Sequence, residues 1–180
     1  MIAIVGMPGS GKSIAVSYIE KKGIPFIRFG DITDEGLKKE SLEINPQNEK
    51  IFREKLRAEK GMAAYAIESK AKIDDLFMRN KTIAIDGLYS WEEYVYLKNL
   101  YPSLVLIALV SDSEIRYKRL SERKVRPLTL EEAKNRDEAE IEKLNKGGPI
   151  AFANYFIENN GDDINALYKK IDEVLVKLNI

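Results

Sequence analysis

The sequence has 180 residues, with 29 lysines and arginines balanced by 29 aspartates and glutamates, and it contains no histidine and no cysteine. These absences exclude a thiolate nucleophile, a disulfide framework, a Cys/His zinc site and a histidine general base, so any metal must be held by oxygen ligands. The length suits a single domain, and the neutral charge balance disfavours general binding to nucleic acid.

No apolar run in the sequence is long enough to span a bilayer, since the longest covers only 104–110. The first residues, 1–6, lack the basic segment and the apolar core of a signal peptide. We therefore expect a cytoplasmic protein that has no membrane partner.

Short apolar runs alternate with helical patterns along the chain, which is typical of α/β proteins built on a parallel sheet. The runs are almost continuously aliphatic, as buried parallel strands are, so each of them predicts a strand. The five predicted strands cover 2–5, 25–28, 82–85, 104–109 and 155–157.

Helical periodicity fills the intervals between these strands. The helix over 12–22 would end at Gly23, and the helix over 129–146 begins with the capping-box sequence Thr129-Leu-Glu-Glu132. The remaining predicted helical segments cover 35–42, 47–79 with an interruption near Gly61, 90–100, 112–123 and 163–178.

A glycine-rich loop directly follows the first predicted strand. Residues 6–13 read Gly-Met-Pro-Gly-Ser-Gly-Lys-Ser, a full match to the P-loop pattern of nucleoside triphosphate-binding proteins. The glycines let successive backbone N–H groups turn toward phosphate oxygens, and the following helix adds the positive end of its dipole. We predict that Lys12 follows the β- and γ-phosphates and that the Ser13 hydroxyl binds Mg²⁺. The predicted nucleotide-binding residues of this loop are Gly6, Met7, Pro8, Gly9, Ser10, Gly11, Lys12 and Ser13.

Two carboxylates follow predicted strands, where loops at the carboxyl edge of a parallel sheet line the ligand crevice. Asp31 follows the second strand, and we predict that it orients or deprotonates an acceptor hydroxyl; capping the next helix is the alternative role. Asp86 ends the third strand and is the carboxylate expected to support the Mg²⁺ shell, although an Asp beside a Gly is also common in turns.

Positive charge concentrates after the fourth predicted strand. Between Arg116 and Arg126 the sequence carries six cations against one anion, and Arg116, Arg119 and Arg123 share one helical face. We predict that Arg119 and Arg123 stabilise charge during phosphoryl transfer, with a solvated helix face as the alternative. Arg136 would join them from a mobile flap that closes over the phosphates.

Together these features resemble the small P-loop kinases of the nucleoside-monophosphate kinase type, and among them an archaeal protein family related to dephospho-coenzyme A kinase. The resemblance covers nearly the whole chain. Besides the P-loop it rests on Gly30-Asp31, Leu56-Arg57 with Gly61, Ile85-Asp86-Gly87, the arginines from Arg119 to Arg126, Arg136-Asp137, and Ala153-Asn154 with Asn159-Asn160-Gly161.

The resemblance implies a three-layer α/β/α P-loop NTPase fold, with a five-stranded parallel sheet, in one domain over 1–180. It also implies a helical, acceptor-binding insertion over 31–79 and a short lid over 124–146. Asn159 would then lie beside the adenine of the bound nucleotide.

The chain departs from these kinases on the acceptor side. Adenylate-kinase-like sequences place an arginine three residues beyond the Asp of the Gly-Asp pair, where this chain has Asp34. Related archaeal sequences place an arginine after the Asp-Gly of the third strand, where Leu88-Tyr89 stand here. Both changes remove positive charge from the expected acceptor pocket, and we predict that Arg53 and Arg57, one helical turn apart, replace it.

The resulting prediction is an ATP- and Mg²⁺-dependent phosphotransferase that acts on a nucleotide-like or dephospho-coenzyme A-like small-molecule phosphate acceptor. The alternative is a nucleotide-dependent switch or regulatory ATPase that signals through the helical insertion without phosphorylating a metabolite. On that alternative, aromatic side chains would form a partner surface, namely Tyr65, Tyr89, Trp91, Tyr94 and Tyr96. The absence of an Asn/Thr-Lys-x-Asp tetrapeptide favours adenine over guanine.

Overall fold

A computed structural model, which describes all residues from 1 to 180, contains five β-strands that form one sheet. The strands are β1 (Ile2–Val5), β2 (Phe26–Arg28), β3 (Ala84–Asp86), β4 (Val105–Val110) and β5 (Tyr155–Glu158). They lie in the order β2-β3-β1-β4-β5, and every neighbouring pair is parallel. The predicted five-stranded parallel sheet is therefore confirmed, with small differences in strand bounds.

Nine helices connect and follow the strands. They are α1 (Lys12–Lys21), α2 (Asp31–Lys39), α3 (Pro46–Lys60), α4 (Ala64–Arg79), α5 (Trp91–Leu100), α6 (Ser113–Ser121), α7 (Leu130–Glu142), α8 (Gly147–Ala151) and α9 (Ile164–Lys177). The helical segment predicted over 47–79 is divided at Gly61 into α3 and α4, as its interruption indicated.

Helices cover both faces of the sheet, because the central strand β1 has apolar side chains on both sides. Side chains alternate along a strand, so Ile2 and Ile4 of β1 belong to one core cluster and Ala3 and Val5 to the other. The first cluster is completed by α1 and α9, and the second mainly by α4 and α5. The molecule therefore has the predicted three-layer α/β/α P-loop NTPase fold.

Two helix boundaries differ from the sequence predictions. The helix predicted over 35–42 begins at Asp31 and ends at Lys39, with Asp31 and Asp34 in its first turn, where carboxylates interact favourably with the helix dipole. The helix predicted over 129–146 ends at Glu142 as α7, and the Gly-Gly-Pro segment at 147–149, predicted to mark its end, instead starts α8. Pro149 is tolerated there because it falls in the first turn, where its missing N–H would have no partner.

The segments predicted as insertion and lid lie at the carboxyl edge of the sheet. Within 31–79, α2 and α3 pack against each other, whereas α4 packs on the sheet and buries Tyr65 and Ile73. Within 124–146, an irregular stretch leads into α7. Judged by length and apolar content, none of the nine helices could cross a membrane.

Candidate active site

The phosphate loop joins β1 to α1 at the carboxyl edge of the sheet. Lys12 is the first residue of α1, and its Nζ donates a hydrogen bond to the carbonyl oxygen of Met7, 2.9 Å away. Gly9 has a φ of +81°, and a Cβ built on it would lie 2.6 Å from the carbonyl oxygen of Arg116. A glycine is therefore required there, because the loop packs directly on α6.

Lys12 is buried in a setting where the nearby carboxylates do not fully offset the cost of its charge. Burial and, second, the Lys146 ammonium lower the pKa of the Lys12 amine to about 7, against the opposing effects of Glu140 and Asp86. Phosphate oxygens would restore the charged form, at a loop and helix start that also favour an anion. The chemistry of the loop therefore fits the phosphates of a nucleotide.

Asp86 and Ser13 are the oxygen donors predicted for Mg²⁺. Asp86 ends β3 beside Ile4 of the central strand, and burial raises the pKa of its carboxyl group, against the opposing effects of Lys12 and Arg28. Ser13 is exposed in the first turn of α1. One carboxylate and one hydroxyl fit Mg²⁺, which usually keeps several waters beside one or two protein ligands.

A first cavity, of about 680 Å³, opens beside the phosphate loop, and we call it the donor cavity. Among its lining residues are Gly9, Gly11, Lys12, Ser13, Arg119, Arg123, Val125, Asn159, Gly161, Ile164 and Leu167. Arg119 donates hydrogen bonds to the carbonyl oxygens of Asn159, at 2.7 Å, and Gly161, at 2.6 Å. The side-chain amide of Asn159 donates to the carbonyl oxygen of Ser10 at 2.9 Å, so the β5–α9 loop is held against the phosphate loop.

A second cavity, of about 580 Å³, has Asp86 in its wall, and we call it the acceptor cavity. It is formed by the end of β2, the helices α2 and α3, the loop after β3 and the lid segment. Five arginines line it, namely Arg28, Arg53, Arg57, Arg126 and Arg136, beside four carboxylates, namely Asp34, Glu49, Asp86 and Glu140. The predicted acceptor residues Arg53 and Arg57 therefore lie in one cavity with the predicted lid residue Arg136.

Most of these arginines are already paired with carboxylates. Arg53 and Arg126 share Glu49, with nitrogen–oxygen distances of 3.3 Å and 2.9 Å. Arg57 has no carboxylate partner: its guanidinium lies 4.9 Å from the centre of the Tyr65 ring, and its buried Nε has no hydrogen-bond partner. Arg57 is thus the cation of this cavity with the greatest unused capacity to donate hydrogen bonds.

Asp31 lies close to the acceptor cavity but is not among the residues that line it. Its carboxylate is about half exposed and pairs with Nε of Arg28 at 2.9 Å, while Asp34 takes a terminal nitrogen of the same guanidinium at 2.8 Å. Its side chain caps no backbone N–H of α2, so the alternative capping role finds no support.

Charged residues that line the two cavities lie close enough to change one another's pKa values. Lys12 lines the donor cavity and lowers the pKa of Asp86, which lines the acceptor cavity. Arg123 lines the donor cavity, and its pKa is lowered by burial and by Arg136 on the acceptor side. Lys12 and Arg123 on the donor side are therefore near Asp86 and Arg136 on the acceptor side, as the transfer of a group between two ligands would require.

Two buried ion pairs that the sequence does not reveal hold α7, one to α6 and one to the residue directly before α8. Arg116 pairs with Asp137 at 2.6 Å, and Lys146, only 1% exposed, pairs with Glu140. Arg116 is thus buried, although its spacing groups it with Arg119 and Arg123. Lys146 directly precedes the Gly-Gly-Pro start of α8, and its sequence context carries no functional signal. The helix of the flap predicted to be mobile is therefore anchored to α6 by the Arg116–Asp137 pair, whereas the Lys146–Glu140 pair lies within the flap.

The aromatic residues considered as a partner surface are dispersed. Tyr65 is buried and shares a 2.7 Å hydrogen bond with Thr33, and the Tyr89 ring lies 4.3 Å from Nζ of Lys146. Trp91 packs against Phe152, with the ring centres 4.9 Å apart. Two of these aromatic residues therefore line the acceptor cavity rather than an outer surface.

Comparison with known proteins places the chain in a family. A UPF0200 protein from Thermococcus kodakarensis is 34% identical over 185 residues, which cover 99% of this chain and 100% of the relative. Residues 2–143 match the AAA_18 family, described as an AAA domain. The chain belongs to the UPF0200 proteins and the AAA_18 family.

Solved structures share the fold of this AAA_18 protein at low sequence identity. TT1252 from Thermus thermophilus is 19% identical, with a TM-score of 0.69 over 98% of this chain and 96% of that chain. A shikimate kinase from Bacteroides thetaiotaomicron is 14% identical, with a TM-score of 0.63 over 99% of this chain and 98% of that chain. The AAA_18 protein thus shares its P-loop NTPase fold with a kinase.

Proposed function

We propose that this protein transfers the γ-phosphate of ATP to a nucleotide-like or dephospho-coenzyme A-like small molecule, in a reaction that requires Mg²⁺. The observation that carries the proposal is a pair of neighbouring cavities, one beside the phosphate loop with Lys12 in its wall and the other lined by Asp86 and five arginines. A protein that only bound and hydrolysed ATP would have no need for the second, arginine-lined cavity.

On the donor side, the loop amides and Lys12 would hold the β- and γ-phosphates. Ser13 and Asp86 would hold Mg²⁺, which neutralises phosphate charge when bound. In the transfer itself, the bond from the γ-phosphorus to its bridging oxygen breaks and a bond to an acceptor oxygen forms. Arg119, Arg123 and Arg136 are proposed to stabilise the charge that moves onto the leaving oxygens.

On the acceptor side, Arg53 and Arg57 are proposed to bind an anionic group of the acceptor, since a bidentate guanidinium suits phosphate. Asp31 is proposed to orient the acceptor hydroxyl and take its proton. In the absence of ligand Asp31 pairs with Arg28, so this role requires the acceptor to compete for that contact.

The test begins with product formation. The protein, ATP and Mg²⁺ are incubated with a panel of nucleoside monophosphates, dephospho-coenzyme A and other phosphorylated metabolites, and mass spectrometry detects any product heavier by one phosphoryl group. Lys12→Ala should reduce transfer by at least about a hundredfold, because it removes the cation at the transferring phosphate.

The matched control is Lys21→Ala, at the exposed end of the same helix, which should leave transfer unchanged. Full activity of Lys12→Ala would overturn the assignment. Binding of ATP without transfer to any acceptor would favour the nucleotide-dependent switch instead.

A further inference from the structure

We propose that Arg116 and Asp137 form a positioning pair that sets the geometry of the phosphate loop from outside both cavities. Neither side chain lines the donor or the acceptor cavity. They are thus distinct from Arg119, Arg123 and Arg136, the arginines proposed to face the reacting groups. The expected effect of this pair on nucleotide binding requires only that the phosphate loop binds a nucleotide. Its expected effect on turnover rests on the proposed function.

The contacts of Arg116 connect three separate parts of the molecule. Its two terminal nitrogens donate to the two carboxylate oxygens of Asp137, at 3.0 Å and 2.6 Å. One of these nitrogens also donates to the carbonyl oxygen of Pro8 in the phosphate loop, at 3.0 Å. Its Nε donates to the carbonyl oxygen of Ser111, which follows β4, at 3.3 Å. One guanidinium thus joins α7, the phosphate loop and the end of a central strand.

The backbone of Arg116 reinforces the same contact. The Cβ position of Gly9 lies 3.0 Å from the Arg116 Cα and 2.6 Å from its carbonyl oxygen, so the loop and α6 touch without intervening side chains. Pro8 and Gly9 are therefore held by successive contacts with a single residue. Since the loop amides must point at phosphate oxygens, a shift of the Pro8 peptide would misalign them.

The position of Asp137 connects this contact to the lid segment. Asp137 directly follows Arg136, and its carboxylate also accepts a hydrogen bond from the hydroxyl of Tyr117 at 3.1 Å. Only 10% of the Asp137 side chain and 9% of the Arg116 side chain are exposed, so solvent screens the pair weakly. The pair therefore fixes the part of α7 from which Arg136 reaches the acceptor cavity.

Three variants separate this positioning role from a general structural one. Arg116→Lys keeps the charge but loses the fork that reaches Asp137 and Pro8 together. Asp137→Asn keeps the size but loses the charge. The double variant Arg116→Met with Asp137→Leu removes both charges, so it avoids the buried unpaired charge that would unfold a single variant. Lys118→Met, an exposed change on the same helix, is the matched control.

The readouts are the dissociation constant of a non-hydrolysable ATP analogue with Mg²⁺, from calorimetry, the thermal midpoint, and kcat with KM for each substrate. We expect the dissociation constant and the KM for ATP to rise about 10- to 100-fold in every variant that unfolds cooperatively. The KM for the acceptor should change less than threefold, and Lys118→Met should resemble the unaltered protein.

Nucleotide affinity within threefold of that of the unaltered protein, in the double variant or in any folded single variant, would overturn the proposal. Equal increases in the KM for ATP and the KM for the acceptor would also contradict it, because they would indicate a general structural effect. If the unaltered protein binds the analogue but transfers phosphate to no acceptor, the proposed function fails, while the calorimetric comparison still tests the pair.

Discussion

At the scale of single residues, the most unusual group is the Lys12 amine. Its pKa is about 7 because burial and the Lys146 ammonium disfavour its charged form. Lys146 is itself almost fully buried, and its pKa is lowered by burial, against the opposing effect of Glu140. The Lys12 amine of the phosphate loop is therefore only partly protonated at neutral pH until an anion binds.

This leads to a pH dependence of nucleotide binding. Phosphate oxygens favour the ammonium form and so raise the pKa of Lys12 in the complex above its value of about 7 in the free protein. Binding above pH 7 therefore takes up a proton, and the affinity for ATP should fall as pH rises from 7 to 9, by up to about tenfold per pH unit.

Calorimetry at pH 6.5, 7.5 and 8.5, in buffers of different ionisation enthalpy, measures both the affinity and the proton uptake. Lys12→Arg is the control, since a guanidinium stays charged throughout this range and its complex should take up no proton at this position. A dissociation constant that does not change between pH 7.5 and pH 8.5 would contradict the prediction.

At the scale of secondary structure elements, the acceptor cavity depends on close contact between α2 and α3. Gly36 of α2 faces the ring of Phe52 on α3, and a Cβ on Gly36 would overlap that ring. The same two helices supply Thr33, Asp34 and Arg53 to the cavity wall. The spacing of these helices therefore sets the position of both predicted acceptor arginines, Arg53 and Arg57, on α3.

Gly36→Ala should destabilise the protein by about 1–3 kcal/mol, because the strain of overpacking exceeds the roughly 1 kcal/mol that alanine gains over glycine within a helix. It should also raise the KM for the acceptor more than the KM for ATP. Denaturant unfolding and steady-state kinetics measure the two effects.

Gly147→Ala is the matched control, since no atom lies within 4 Å of the added methyl group at the start of α8. It should be neutral or slightly stabilising. If the Gly36→Ala protein were as stable as the unaltered protein, α2 and α3 would be able to move apart without a loss of stability.

The same elements show how far the sequence predicts this molecule. The sheet is predictable because the aliphatic runs are short and continuous, and the phosphate loop because its glycine spacing is specific. The burial of Arg116 is not, because helical spacing groups it with Arg119 and says nothing of a carboxylate 21 residues later in the chain. Local rules also place the start of α2 too late, since they do not predict that a helix begins at Asp31, with only two residues between it and the end of β2.

At the scale of the whole molecule, one ion pair spans the acceptor cavity. Arg126, in the stretch before α7, pairs with Glu49 of α3 and has a φ of +53°. Glu49 also pairs with Arg53, and the side chain of Arg126 holds the pKa of Glu49 below its usual value. A single carboxylate therefore neutralises two of the five arginines and joins the lid segment to the insertion.

Glu49→Gln should strengthen the binding of anions in this cavity. The change leaves Arg53 and Arg126 without a carboxylate, so inorganic phosphate should bind about two- to fivefold more tightly, the equivalent of roughly 0.5–1 kcal/mol for partly exposed arginines. Calorimetric titration with phosphate at low ionic strength measures the effect, which salt should reduce.

Glu54→Gln, an exposed change on the same helix, is the matched control and should leave phosphate binding unchanged. Weaker phosphate binding in Glu49→Gln would mean that Glu49 holds the two arginines in the geometry that an anion requires.

The packing of Trp91 has an optical consequence. Trp91 is the single tryptophan of the chain, and its ring contacts Phe152 and lies against Gly148, two residues beyond Lys146. Its emission therefore reports on the end of the lid segment without any introduced label. Because the chain also has no cysteine, one thiol placed on the exposed stretch near Val125 would carry a unique acceptor dye, and energy transfer from Trp91 would follow the position of that stretch.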